Sequence, residues 1–211
     1  MAIEFHRKIK TEFAKLIFQI TTINVPLQVL ESSRKLEPHS LFADLVSLYY
    51  ERKSTDAVLI SSSGTEFHVH KFMLSLRSQF FANEFEKSNK LELEISGEII
   101  EEVIRYCYLD EVQNLKNLAI DLVKAGHDLE LEGLRTMCLK FLEQNLNEAN
   151  LIECFALDVR KYKCQTLRSA CVNYFKSHSS VLMESETIRD QIQQLPEPIQ
   201  RLATVRSKDA I

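Results

Sequence analysis

The sequence has no tryptophan and very few of the residues that interrupt regular structure. Only four glycines and four prolines occur among its 211 residues. A phosphate-binding loop needs several glycines close together, so that backbone N–H groups can approach the anion. Gly64, Gly97, Gly126 and Gly133 are too far apart for such a loop. The scarcity of both residues also argues against long flexible linkers.

Long apolar runs and paired cysteines are missing as well. No apolar run is long enough to cross a bilayer, and no basic start leads into a signal-peptide core, so we expect an intracellular protein of the nucleus or cytoplasm. The cysteine count is odd and no pair has Cys-x-x-Cys spacing, which argues against a disulfide framework and a zinc finger. Most of the five cysteines lie in apolar periodic stretches, where cysteine acts as a small hydrophobic residue: Cys107, Cys138, Cys154, Cys164 and Cys171.

The charge balance does not favour nucleic acid as a partner. Lys and Arg total 26 against 30 Asp and Glu, a formal net charge of −4. DNA and RNA binding depends on a basic field that neutralises phosphates. The small basic cluster at His6, Arg7, Lys8 and Lys10 is best interpreted as a solvated helix face or end. We therefore expect neither nucleic acid nor a membrane as a partner.

The pattern of apolar residues predicts an α+β fold. Leu41, Leu45 and Leu48 have helical spacing, and two short strand-like segments at 57–61 and 66–69 flank a Ser-Ser-Gly turn, which predicts a hairpin. Residues 91–95 alternate with period two, as in a strand with one wet face. Helical periodicity is found over 72–76, 79–85, 99–107, 118–125, 134–146, 151–157, 167–175, 188–195 and 199–205.

Candidate catalytic and metal-binding residues have simpler structural explanations. His68 and His70 would share one face of a strand, where packing or hydrogen bonding explains them without further ligands. The carboxylate pairs Glu92/Glu94 and Glu101/Glu102 are typical of solvated faces, since catalytic carboxylates need a shielded pocket. Ser61–Ser63 precede a glycine and indicate a turn. We expect no catalytic centre, no metal and no cofactor.

The segment from Thr55 to Ser78 nevertheless carries a distinctive pattern. It reads TDAVLISSSGTEFHVHKFMLSLRS and is followed by Phe81, a strand at 91–95 and the triplet Tyr106-Cys107-Tyr108. These positions resemble the BTB/POZ family in order and spacing. The resemblance implies a BTB/POZ fold over 41–146, a small β-sheet capped by helices, followed by the helical hairpins called the 3-box over 147–211.

Within the family, the chain is similar to the speckle-type POZ and TD/POZ subgroup. The helix beginning at Leu41 and the segment 134–146 carry this likeness. Members of that subgroup have a substrate-binding MATH domain before the BTB domain. Residues 1–40 are too few for a whole MATH domain, so we interpret this lead segment as a remnant of one with its linker.

The resemblance also implies two interaction surfaces. The dimer face falls on Leu41, Leu45, Leu48 and Met73. The surface for cullin-3, the scaffold of a ubiquitin ligase, falls on Phe81, Phe85, Tyr108, Leu109 and Asp110.

The cullin surface departs from the subgroup in one respect. The loop before Leu91 is short and lacks the subgroup's motif of an apolar residue with a glutamate two places on. Two interpretations stay open: a dimeric substrate adaptor of a cullin-3 ligase, and a dimerisation partner of MATH-BTB proteins that does not bind cullin-3.

Overall fold

The computed structural model describes residues 40–157, 162, 164–184 and 186–193. The chain divides into two compact units, Met1–Lys53 and Ser54–Ile211. The expectations for the basic cluster, for the MATH remnant over 1–39 and for the last predicted helix over 199–205 lie outside the described residues.

The described part of the first unit is helix α1, Leu41–Glu51. The Ser40 hydroxyl accepts a hydrogen bond from the Ala43 N–H at 3.1 Å, which caps the helix start. At the other end Arg52 adopts a left-handed conformation, with φ 45°, and its N–H donates to the Leu48 carbonyl. The helix predicted from the leucine spacing is confirmed.

In the second unit, a three-stranded sheet is ordered β2-β1-β3. Strand β1, Ala57–Ile60, pairs antiparallel with β2, Glu66–Val69, which confirms the predicted hairpin. Its turn is stabilised by the Ser61 hydroxyl, which accepts the Thr65 N–H at 3.0 Å. Gly64 has φ 81°, a conformation that glycine adopts without steric cost. The predicted serine turn is therefore confirmed.

Strand β3, Lys90–Glu92, runs parallel to β1 and is shorter than the predicted strand over 91–95. Beyond it, the Leu93 N–H still donates to the Ile60 carbonyl at 2.8 Å. The strand cannot extend further because β1 itself ends at Ile60, where the hairpin turn begins. On the outer face Lys90 pairs with Glu66 at 2.8 Å, so an ion pair joins the two edge strands.

Five helices follow or interleave with these strands: α2 (Lys71–Arg77), α3 (Gln79–Lys87), α4 (Gly97–Leu109), α5 (Leu115–Asp128) and α6 (Glu132–Gln144). Each overlaps its predicted segment and extends beyond it at one or both ends. Helix α4 packs on α2, α5 and β2, and α5 forms a close pair with α6. A Cβ on Gly126 would lie 3.1 Å from the Arg135 backbone, so the missing side chain allows this close approach.

The C-terminal helices are α7 (Leu151–Leu157), α8 (Gln165–Glu184) and α9 (Glu186–Gln193). Helix α8 packs on α6, α7 and α9. It is interrupted at His178, whose φ/ψ of −117° and 15° are not helical. The Arg135 guanidinium donates to the Tyr162 carbonyl at 2.9 Å, which attaches α6 to the segment between α7 and α8.

Buried side chains run from the sheet through the helices to the C-terminal group, and they confirm an α+β fold with one continuous core in the second unit. Aliphatic residues dominate its fully buried positions. The largest fully buried side chains are Phe81, Leu59, Leu74, Ile100, Ile104, Leu122, Leu131, Leu134, Leu151, Leu157, Leu167 and Leu182.

The contact between α4 and α6 gives a stability prediction. A Cβ on Gly133 would overlap the Tyr106 hydroxyl. We expect Gly133→Ala to destabilise the protein by about 1–3 kcal/mol, since overpacking forces side chains or backbone to move. Urea unfolding measures the change.

The matched control for that prediction is Tyr106→Phe, which removes the oxygen that the new methyl group would meet. The double variant should recover part of the loss, as a double-mutant cycle would show. Equal stability of Gly133→Ala and the parent would contradict the prediction.

Candidate partner-binding surfaces

Helix α1 carries the first predicted surface. Leu41, Leu45 and Leu48 lie on one face of the helix; Leu41 is 41% exposed and the other two are half-buried. Met73, the fourth predicted dimer residue, lies on α2 in the second unit and is 6% exposed. The three leucines therefore have surface to offer a partner, whereas Met73 offers little. The dimer interface itself stays a prediction.

Four of the five predicted cullin-binding residues are buried. Phe81 and Phe85 lie on the inner face of α3, with rings stacked at 5.8 Å and an interplanar angle of 15°. Tyr108 and Leu109 are 4% and 7% exposed at the end of α4. Asp110 is exposed. The four buried side chains support the surface from beneath, and the cullin assignment stays a prediction.

Tyr108 connects the end of α4 to the start of α2. Its hydroxyl accepts the His70 N–H at 2.9 Å and lies 2.8 Å from His70 Nδ1. The expected position of His70 on a strand is wrong, because β2 ends at Val69 and His70 is the N-cap of α2. Its expected role in hydrogen bonding is confirmed.

Lys71 connects α2 to the end of α3, next to the predicted cullin-binding residues Phe81 and Phe85. Its N–H donates to Asp56 Oδ1 at 2.8 Å, which satisfies a free donor at the start of α2. Its ammonium group donates to the Phe85 carbonyl at 3.4 Å and to the Asn89 side chain. One lysine thus fixes the end of α3 and the start of β3 relative to α2.

The connection from α3 to β3 is only Ser88 and Asn89. The Ser88 hydroxyl accepts the Lys90 N–H at 3.0 Å and donates to the Lys90 carbonyl at 2.8 Å. These bonds satisfy the N–H and carbonyl groups of Lys90, which point away from β1 and so have no partner on that strand. The loop judged short in the sequence is therefore a tight turn in the structure, and it has no apolar side chain.

At the C-terminal end of α4, Asp110 has φ 58° and its carboxylate pairs with Arg77. The Arg77 guanidinium lies over the Tyr106 ring, 4.6 Å from the ring centroid. Burial raises the pKa of the Tyr106 hydroxyl, so this ring stays neutral in ordinary conditions. The ion pair between Arg77 and Asp110 fixes the position where the chain leaves α4 towards α5.

Glu102 contradicts the expectation that Glu101 and Glu102 form a solvated face. It is 7% exposed, and its two carboxylate oxygens accept the Gln113 N–H at 2.9 Å and the Asn114 N–H at 3.1 Å. Arg105 Nε lies 3.8 Å from the same carboxylate. Burial is possible because a buried charge that is paired and hydrogen-bonded avoids most of its desolvation cost. Glu92 and Glu94 are exposed as expected.

The part of the chain that the structure describes has no group of three or more His, Cys, Asp or Glu side chains able to hold a metal ion. A search of its helices for one long and apolar enough to cross a bilayer found none. All five cysteines are buried. Burial raises the pKa of both Cys107 and Cys138 to about 12, and the Glu102 carboxylate adds to the rise at Cys138.

These thiols give a second prediction. A thiol of pKa about 12 is ionised to roughly one part in 10⁴ at pH 8, and the thiolate is the reactive form. We expect Cys107 and Cys138 to react very slowly with a disulfide reagent in the native protein and readily in denaturant, where the pKa returns to its ordinary value. Mass spectrometry of each labelled cysteine measures the two rates. Equal native and denatured rates would contradict the burial.

Comparison with known proteins identifies the architecture. A family model for the BTB/POZ domain matches residues 45–146. The chain is similar to TD and POZ domain-containing protein 5 of Mus musculus, with 25% identity over 185 residues. That alignment covers 83% of this chain and 54% of the relative, so the chain spans about half the relative's length.

Among solved structures, the chain is similar to the BTB domain of zebrafish PATZ1. The identity is 19% and the TM-score 0.45, over 49% of this chain and 89% of that one.

Proposed function

The chain contains a BTB/POZ domain, a protein–protein interaction fold, and from this premise we propose that it is a dimeric substrate adaptor of a cullin-3 ubiquitin ligase. An adaptor makes and breaks no bonds itself. It raises the effective concentration of a bound substrate near the ligase, which promotes ubiquitination and degradation. The substrate-reading part would lie in residues 1–40, in the C-terminal residues or in a partner protomer.

The single observation that carries this proposal is the match to the BTB/POZ domain over residues 45–146. The geometry supports it, because both predicted cullin-binding elements are attached to α2. Lys71 at the start of α2 holds the end of α3, and Arg77 at its end holds Asp110. A seven-residue helix is about 10 Å long, so the two elements are close enough for one partner to contact both.

The C-terminal helices would enlarge this surface. In the adaptor hypothesis α7 and α8 take the place of the 3-box. Helix α8 packs on both α6 and α7, and Arg135 adds the hydrogen bond to the Tyr162 carbonyl. Helices α7 and α8 are thus joined to the BTB domain by packing contacts. A binding surface shared by both parts requires such a connection.

A rival proposal has a specific observation in its favour. The turn between Lys87 and Lys90 has two polar residues and no apolar side chain to insert into a partner. An apolar anchor in a desolvated pocket is typically worth 2 kcal/mol or more, on the order of a 30-fold change in affinity. The rival function is a dimerisation partner that pairs with MATH-BTB relatives and does not bind cullin-3.

Dimer formation can be tested on α1. We expect Leu45→Asp to reduce the dimer to monomer, since a charge in the centre of an apolar self-complementary patch would face its own copy. Light scattering measures the mass. The matched control is Tyr50→Asp, because Tyr50 is 66% exposed and lies about 140° further round the same helix. Loss of the dimer in both variants, or in neither, would contradict this interface.

Cullin-3 binding separates the two functions. We expect calorimetric titration with the N-terminal domain of cullin-3 to give sub-micromolar affinity and two cullins per dimer. A stable dimer that gives no heat of binding rejects the adaptor function and favours the dimerisation partner. Asp110→Lys should weaken binding about ten-fold or more, because it reverses the exposed charge on the predicted surface. The control is Lys124→Glu, which reverses a half-buried charge on α5 that also pairs with a carboxylate, Asp121.

A further inference from the structure

The loop between α4 and α5, residues 110–114, is fixed at both ends by side chains from elsewhere in the fold. Arg77 pairs with Asp110 where the loop begins. Glu102 accepts the N–H groups of Gln113 and Asn114 where the loop ends. Five residues held at both ends have few conformations left. The loop is therefore ordered before any partner arrives.

We propose that Glu102 is a positioning residue, whose buried carboxylate holds the 110–114 loop in the conformation that the partner binds. The inference rests on the proposed function, which places this loop in the cullin-3 contact. Glu102 itself is 7% exposed and would touch no partner. It acts through the two backbone N–H groups that it holds.

The chemistry of Glu102 suits this role better than that of any neutral side chain. A carboxylate has two acceptor oxygens, and here each oxygen receives a different N–H. Asn114 is the N-cap of α5, and its side chain accepts the Asn117 side-chain amide and caps no backbone N–H of the helix. The negative charge of Glu102 thus lies beside the start of α5, which is the positive end of the helix dipole. Glutamine offers one acceptor and would direct an N–H₂ group at the other backbone donor.

Pre-ordering has a measurable consequence for binding. A loop that is already in its bound conformation loses less conformational entropy on association. Without Glu102, the free loop would sample other conformations, and only a fraction of molecules would be competent to bind. The apparent affinity falls in proportion to that fraction.

The test compares Glu102→Gln with Glu98→Gln. Both changes neutralise a glutamate on α4, but Glu98 is exposed in the first turn and away from the loop. Amide hydrogen exchange would be followed residue by residue in each protein. For Glu102→Gln we expect Gln113 or Asn114 to exchange about ten-fold faster or more and to approach the rate of an unprotected amide, because its N–H loses a hydrogen bond to a charged group. Exchange in β1 should be unchanged in both variants.

Cullin-3 titration of the same variants completes the test. We expect Glu102→Gln to weaken binding about ten-fold, which corresponds to a loop in the bound conformation in about one molecule in ten, and Glu98→Gln to bind like the parent. Unchanged exchange at both amides, or faster exchange with unchanged affinity, overturns the inference alone. Absence of binding by the parent chain overturns the proposed function and the partner role of the loop, whatever the exchange data show.

Discussion

Helix α4 has almost no face that water reaches, and the surrounding structure depends on this constraint. Nine of its thirteen residues are buried, including one glutamate and two tyrosines. A polar group taken out of water without a hydrogen bond costs several kcal/mol in the least favourable settings. Each buried polar side chain of α4 must therefore find its partner within the protein, and those partners determine where the neighbouring elements lie.

The polar groups of α4 connect it to three different elements. Tyr108 binds the His70 backbone and so fixes the start of α2. Tyr106 lies against Gly133 and so fixes the start of α6. Glu102 binds the backbone before α5. The apolar face of α4 supplies the burial, but these contacts give the helices around it their positions.

The sequence predicts this arrangement only in part. The apolar stripe of Ile99, Ile100, Val103, Ile104 and Cys107 predicts the helix and its inner face, and the Ser-Ser-Gly turn predicts the hairpin. The stripe places Glu102 outside that face, hence the mistaken expectation of solvent exposure. A signal was present: Tyr106 and Leu109 lie in nearly the same direction as Glu102 on a helical projection. Apolar residues on both sides of the stripe indicate a helix buried all round.

The contact residues were harder to predict than the fold, for a related reason. Asp56, His70, Lys71, Phe81 and Tyr108 carry the resemblance in the sequence. In the structure Asp56 binds Lys71, His70 binds Tyr108, and Phe81 is fully buried. These residues are recognisable because they build the fold, and the same fold can serve different partners. Exposed positions such as Asp110 have weaker sequence patterns, because apolar packing does not constrain them.

In the proposed cullin-3 contact, the short turn between α3 and β3 and the 110–114 loop would have opposite effects on binding. The turn lacks an apolar anchor, so the favourable free energy of burying one would be missing. The loop would reduce the conformational entropy that binding must overcome, without adding any contact area. Affinity depends on the difference between these terms more than on the area buried. Because the loop is held by a charge inside the protein, the proposal implies that a substitution which touches no partner would change the affinity as much as one at the interface.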